Sequence, residues 1–189
     1  MLAELGARAF SHTFLASTTS ADMAAYVAGA FGTQVQAAEL ADAERTFLIA
    51  ESEGATVGYA QLRRGVPPRC VAGMRTIEIV RLYADAHWIG RGAGSALMSA
   101  SLDLAIAECR DTVWLAVWEE NDRAITFYRR WGFGPVGVAT FRLGGDVQHD
   151  LVMARPVGVV RRGPLACLSY NLSSHARSRT GSRAAGQAL

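Results

Sequence analysis

Three glycines at alternate positions, Gly90, Gly92 and Gly94, stand between a β-rich run, "TIEIVRLY", and a helix running from Gly92 to about Arg110. Leu97, Ala100, Leu104 and Ala107 mark that helix's apolar face, with Ser95, Ser99 and Asp103 on another. The next run, "TVWLAVW", is apolar on both faces, which predicts a strand enclosed within a sheet. Strand, helix and strand make a βαβ unit, so the middle of the chain predicts an α/β fold around a central sheet.

The glycines also limit what the helix mouth binds. A helix N-terminus presents unpaired N–H groups and a partial positive charge, and glycine lets an anion approach the backbone with no Cβ in the way. A dinucleotide fingerprint, GxGxxG, would need its third glycine at Ser95 or Leu97, so that reading is disfavoured. A Walker loop needs a lysine, and the chain has none.

Helical patterns fill the first forty-odd residues. Leu5, Phe10 and Phe14 suggest one stripe, Ala21 to Phe31 another, and Thr33-x-x-Gln36 a capping box opening a third. "TFLIAES" and "TVGYAQLRR" flank Gly54 as a hairpin. After the apolar strand, Asn121 caps a helix through Trp131 that Gly132 ends, and two strands around 133–142 and 148–154 form a hairpin about Gly144-Gly145.

With 189 residues, half of them apolar, the chain can bury one core, assigned to residues 1–156. Those residues hold 14 arginines against 17 acids, whereas 157–189 hold 5 arginines and no acid. That Arg/Ser/Gly-rich tail loses periodicity and is expected to be disordered. No apolar run reaches the roughly 18 residues of a membrane span, and Glu4 stands where a secretory signal needs positive charge. A cytoplasmic protein with no membrane partner is expected. Cys70, Cys109 and Cys167 sit in no ligand spacing with His12, His87, His149 or His175, so idle thiols and no metal are expected.

Two motifs carry a resemblance. "I-G-R-G-A-G-S", Ile89 to Ser95, is similar to the R/Q-x-x-G-x-G/A turn of the GCN5-related N-acetyltransferases, with Ile89 where the family prefers Gln or Arg. "NDRAITFYRRWGF", Asn121 to Phe133, resembles that family's N-x-x-A-x-x-F-Y-x-x-x-G-F. The resemblance covers roughly residues 3–155. It implies a mixed twisted sheet flanked by helices, acetyl-CoA as cosubstrate, and acetyl transfer to a primary amine by direct attack in a ternary complex. Within the family, the segments from Val113 to Phe133 and from Val138 to Met153 look closest to bacterial spermidine/spermine acetyltransferases of the PaiA type, which implies a polyamine acceptor. Relatives begin with a short edge strand that this chain lacks, and dimers are common among them, so the resemblance also implies a homodimer to test for.

Carried over residue by residue, the resemblance puts the diphosphate of acetyl-CoA at Ile89, Gly90, Arg91, Gly92, Ala93, Gly94 and Ser95. It puts the pantetheine amides against the backbone of Leu82 and Tyr83, and gives Asn121 a cofactor contact besides its cap. Tyr128 would donate a proton to the departing thiolate, and Glu78 would act as base through a water, although Val80 occupies a position that is acidic in the polyamine-type pattern. Free alkylamines are mostly protonated at neutral pH, so a base and an acidic reception site are needed. Glu119, Glu120 and Trp118 follow or end the apolar strand as acceptor-side candidates; Asp146, His149 and Asp150 lie in segments facing the same side. Ordinary structural roles compete throughout: Glu78 as a carboxylate paired with an arginine, Tyr128 as a core aromatic. Two other functions are weighed: a non-catalytic acetyl-CoA-binding regulatory module, and a nucleic-acid binder acting through the arginine tail. No aromatic or basic repeat supports the second, so no nucleic-acid partner is expected.

Overall fold

The computed structural model describes residues 1–14, 20–143 and 146–158. Helices α1 (Leu2–Phe14), α2 (Ser20–Phe31) and α3 (Thr33–Ala41) come first. They are followed by strands β1 (Arg45–Ser52), β2 (Ala55–Arg64) and β3 (Thr76–Ala84), a 3-10 turn at Ala86–Trp88, and helix α4 (Ala93–Ala107). Strand β4 (Thr112–Trp118), helix α5 (Asp122–Arg130) and strands β5 (Gly134–Leu143) and β6 (Asp146–Pro156) complete the order. One six-stranded sheet runs β1-β2-β3-β4-β6-β5, antiparallel except for the β3–β4 pair. This is the mixed α/β sheet with flanking helices that the sequence predicts.

Two apolar layers sandwich the sheet. Leu97, Met98, Leu102 and Ala105 of α4, with Ala124, Ile125 and Tyr128 of α5, pack on Ile77, Ile79, Leu82, Leu115, Val117 and Met153. On the other face, Leu5, Phe10, Met23 and Phe31 of α1 and α2 pack on Tyr59 and Tyr83, with Trp118 beside them. A bulge on β3 sets which residue faces which layer. Leu62 opposes Ile79 and Gln61 opposes Arg81, leaving Val80 as the extra residue. Arg81 and Tyr83 thereby turn to the α1–α3 face, while Leu82 joins Ile77 and Ile79 beneath α4.

The parallel strands stay together only briefly. β3 and β4 are in register at Thr76–Thr112, Ile77–Val113 and Glu78–Trp114, and then diverge. A wedge therefore opens between them toward Ala84 and Trp118, on the side where α4 begins.

Several local expectations change. Gly32, not Thr33, caps α3, and no side chain closes the predicted capping box; Gln36 is buried and reaches Glu39 instead. Cys70 is a free, exposed thiol. The Gly144-Gly145 turn, Cys167, His175 and the tail beyond residue 158 lie outside the described residues. Among the described residues no strand precedes β1, and no helix is long and apolar enough to cross a membrane.

Candidate active site

At the mouth of the wedge the chain turns sharply twice. Gly90 and Gly92 adopt φ of +76° and +95°, a left-handed backbone in which a side chain is strained. Gly92 is the N-cap of α4 and caps nothing with a side chain. Among the described residues the N–H groups of Gly90, Gly92, Ala93, Gly94 and Ser95 have no backbone acceptor, whereas Ile89 donates to the Ala86 carbonyl and Arg91 to that of Trp88. Five of the seven residues predicted to form the cradle therefore offer an amide. Ile89 contributes its side chain to the cavity wall instead, and Arg91 is exposed beside it. Free amides at the start of a fifteen-residue helix attract a diphosphate.

A cavity of about 670 Å³ lies over this turn. Its near wall is Trp88, Ile89, Gly90, Gly92, Gly94 and Ser95; its far wall is the exposed side of α5, with Arg123, Thr126, Phe127 and Arg130. The sequence reading missed the two arginines as cavity residues. Their signal was present: Arg123, Thr126, Phe127 and Arg130 recur at i, i+3, i+4 and i+7 on a helix whose cap is fixed by Asn121. A second cavity of about 230 Å³ adjoins the first through Ala84, Ile89 and Arg123, and extends along α1 past Arg8 and His12.

Asn121 caps α5 as predicted, its Oδ1 accepting the Ala124 N–H at 3.1 Å. Gly132, with φ of +82°, ends that helix. This fixed frame buries Tyr128 completely, edge-on to Phe127 and Phe133. Its hydroxyl has no hydrogen-bond partner. Burial pushes the phenol well above its usual range, so it keeps its proton at neutral pH. Such an orphaned donor demands an explanation. A leaving group brought between the strands supplies one, and so does a purely structural core aromatic.

Glu78 is paired with an arginine. At the point where the strands part, its Oε2 accepts from Arg63 Nε at 3.0 Å and Nη2 at 2.6 Å. Leu82 and Tyr83 are both buried in β3 beyond the last β4 register pair. Trp118 is half-buried and Glu119 and Glu120 are exposed at the end of β4, where Glu119 donates its N–H to the His149 carbonyl. His149 itself is exposed, Asp150 is 1% exposed, and only the backbone of Asp146 is described.

Free helix-mouth amides, an orphaned phenol on the next helix and a wedge between them fit an acyl-thioester ligand. The model of the acetyltransferase (GNAT) family matches residues 11–133. The chain belongs to the GNAT family. It is similar to an uncharacterized N-acetyltransferase of Mycobacterium tuberculosis, 35% identical over 154 residues, 82% of this chain and 94% of that one. It also resembles the N-alpha-acetyltransferase RimI of the same species, 36% identical over 53% of this chain and 59% of the relative. Among solved structures, the PaiA N-acetyltransferase of Thermoplasma acidophilum in complex with coenzyme A superposes with a TM-score of 0.63 at 15% identity, covering 82% of this chain and 90% of that one. At that identity the likeness shows the fold and leaves the acceptor open. As a GNAT enzyme this chain is an N-acetyltransferase with acetyl-CoA as donor.

Proposed function

We propose that this GNAT enzyme acetylates a primary amine by direct attack in a ternary complex, with a polyamine as the first acceptor class to test. The amides of Gly90, Gly92, Ala93, Gly94 and Ser95 carry the reading, because donors left without a backbone acceptor at a helix N-terminus favour an anionic ligand. Those amides, with Arg123 and Arg130 across the cavity, would hold the diphosphate of acetyl-CoA. Bound there, acetyl-CoA supplies an activated acyl carbon and a thiolate leaving group. The edge of β3 beyond Glu78 is released from β4 and available to orient the ligand's arm. Tyr128 keeps a proton at a hydroxyl that no protein group uses, which suits it to protonate sulfur. Cys109 lies two residues past the far end of α4, away from the helix mouth, which argues against an acyl-enzyme on that thiol.

Purified protein mixed with acetyl-CoA and spermidine, amino acids, aminoglycosides or peptides with free amino termini should release free thiol with at least one amine. Binding without thiol release would favour a non-catalytic acetyl-CoA module. The sealed position of the Tyr128 hydroxyl is the observation that speaks for that second reading.

A further inference from the structure

The α1–α2 face of the sheet buries a carboxylate, Asp150, beside the end of β4. Asp150 lies on β6 in register with Trp118, the last residue of β4, and with Ala139 of β5. Its neighbours Leu151 and Met153 pack toward α4 and α5. Asp150 therefore points to the opposite face, where Tyr26, Trp118 and Tyr83 gather beneath α1 and α2. It is 1% exposed, and its Oδ2 has no hydrogen-bond partner. Buried carboxylates are normally ion-paired or fully hydrogen-bonded. Among the described residues, the deeply buried cation of this face, Arg81, is committed to Glu39 at 2.5 Å and to the Ala30 carbonyl at 3.1 Å. A carboxylate oxygen left unclaimed on the strand next to β4 is a place for a cation that the described residues do not supply.

We propose that Asp150 receives the ammonium form of the acceptor amine and takes its first proton, acting as the base of the acetyl transfer. This rests on the reading of the chain as an amine N-acetyltransferase. The alkylammonium gives one N–H proton to the Asp150 carboxylate. The freed nitrogen lone pair forms the C–N bond to the acetyl carbon while the C–S bond breaks and its electron pair leaves on sulfur. The nitrogen's second proton balances the thiolate, directly or by way of Tyr128, and Asp150 afterwards returns its proton to solvent.

The surroundings poise Asp150 for this work. Burial, then the negative charge of Glu119 at the end of β4, push its carboxyl up to about 7, against a smaller opposing pull from His149 on its own strand. From α2 the facing group is the Tyr26 phenol, which burial holds protonated; on β5, Ala139 lies opposite. A base with an affinity for protons near neutrality is half-ready at working pH and returns its proton easily.

The test follows kcat/KM for spermidine and for a short peptide with a free amino terminus from about pH 5.5 to about 9.5. It compares the full-length wild type with Asp150→Asn and Asp150→Glu, with acetyl-CoA affinity measured by calorimetry. Asp150→Asn is expected to keep acetyl-CoA affinity within about twofold and to lose roughly 100-fold or more in kcat/KM. It should also lose the ionisation near neutrality, leaving only the rise due to the amine; Asp150→Glu should restore part of the activity together with that ionisation. An Asp150→Asn enzyme within about threefold of wild type with the same pH limb overturns the proposal, as does a loss of activity that merely tracks lost acetyl-CoA binding. Wild-type protein that binds acetyl-CoA and acetylates neither probe overturns the amine-transferase reading itself, and the role of Asp150 with it.

Discussion

The Tyr128 hydroxyl has left water on folding and gained no partner in exchange. A buried hydroxyl in that state costs roughly 1–3 kcal/mol, so removing it does not harm the fold. Tyr128→Phe is expected to hold or raise the melting temperature and to leave acetyl-CoA affinity unchanged. Its kcat should fall about 100-fold, the lower range for losing a positioned proton donor. Thermal denaturation, calorimetry and thiol release measure the three separately, and an unchanged kcat would return Tyr128 to the core as an ordinary aromatic. Glu78, by contrast, already has a partner: Arg63 places two donors on a single oxygen of its carboxylate.

The helix mouth depends on two caps of different kinds. Gly92 caps α4 with a left-handed backbone and leaves the next amides open. Gly92→Ala meets open space around its new methyl group, so its cost is conformational, about 1–2 kcal/mol. The turn is expected to relax, and acetyl-CoA binding measured by calorimetry to weaken roughly tenfold, as a shift of about 1.4 kcal/mol dictates. Asn121 caps α5 with its side chain, satisfying an amide rather than exposing one. Asn121→Ala should cost about 1 kcal/mol, seen as a melting temperature lower by roughly 2–4 °C, and it also loosens the frame that holds Tyr128. The sequence announces both caps, because a glycine run before an apolar period and an Asn three residues ahead of a helical Ala are local signals. It announces the strands too: β1 through β4 lie within a residue or two of the runs that alternation or continuous apolarity mark. The α3 cap shifted by one residue because Gly32 and Thr33 are both acceptable there and the rest of the molecule chooses. In the sequence Asp150 stands only as one of several polar residues in a segment facing the acceptor side. Its burial comes from the register with Trp118 and the helices laid over it, which no local spacing encodes.

Across the whole molecule the buried acids pull stability in opposite directions with pH. Burial raises the carboxyl of Glu108, but hydrogen bonds from Arg64 on β2 and from Arg110 outweigh it and hold the group below its usual range. Its contribution is present above the ordinary carboxylate pKa and is lost as pH falls through the folded-state value. Asp150 has the reverse sign. Its folded-state value near 7 lies far above the 3.8 of an unburied aspartate, so between those limits the folded protein holds a proton that the unfolded chain has released. Stability therefore declines as pH rises across that window and levels off above it, by at most about 1.4 kcal/mol for each pH unit. The two effects together place the stability maximum in mildly acidic solution, below the pH at which Asp150 is ready to accept a proton. Urea unfolding at about pH 5 and about pH 7.5 should show the wild type losing stability, by up to a few kcal/mol, and Asp150→Asn holding nearly constant. Wild-type stability that stays level across this range would mean that the carboxyl meets water or a cation when folded. A decline confined to the wild type would mean that the fold carries an ionisable group against its own stability at neutral pH, the condition expected where a site is kept for a ligand rather than for the core.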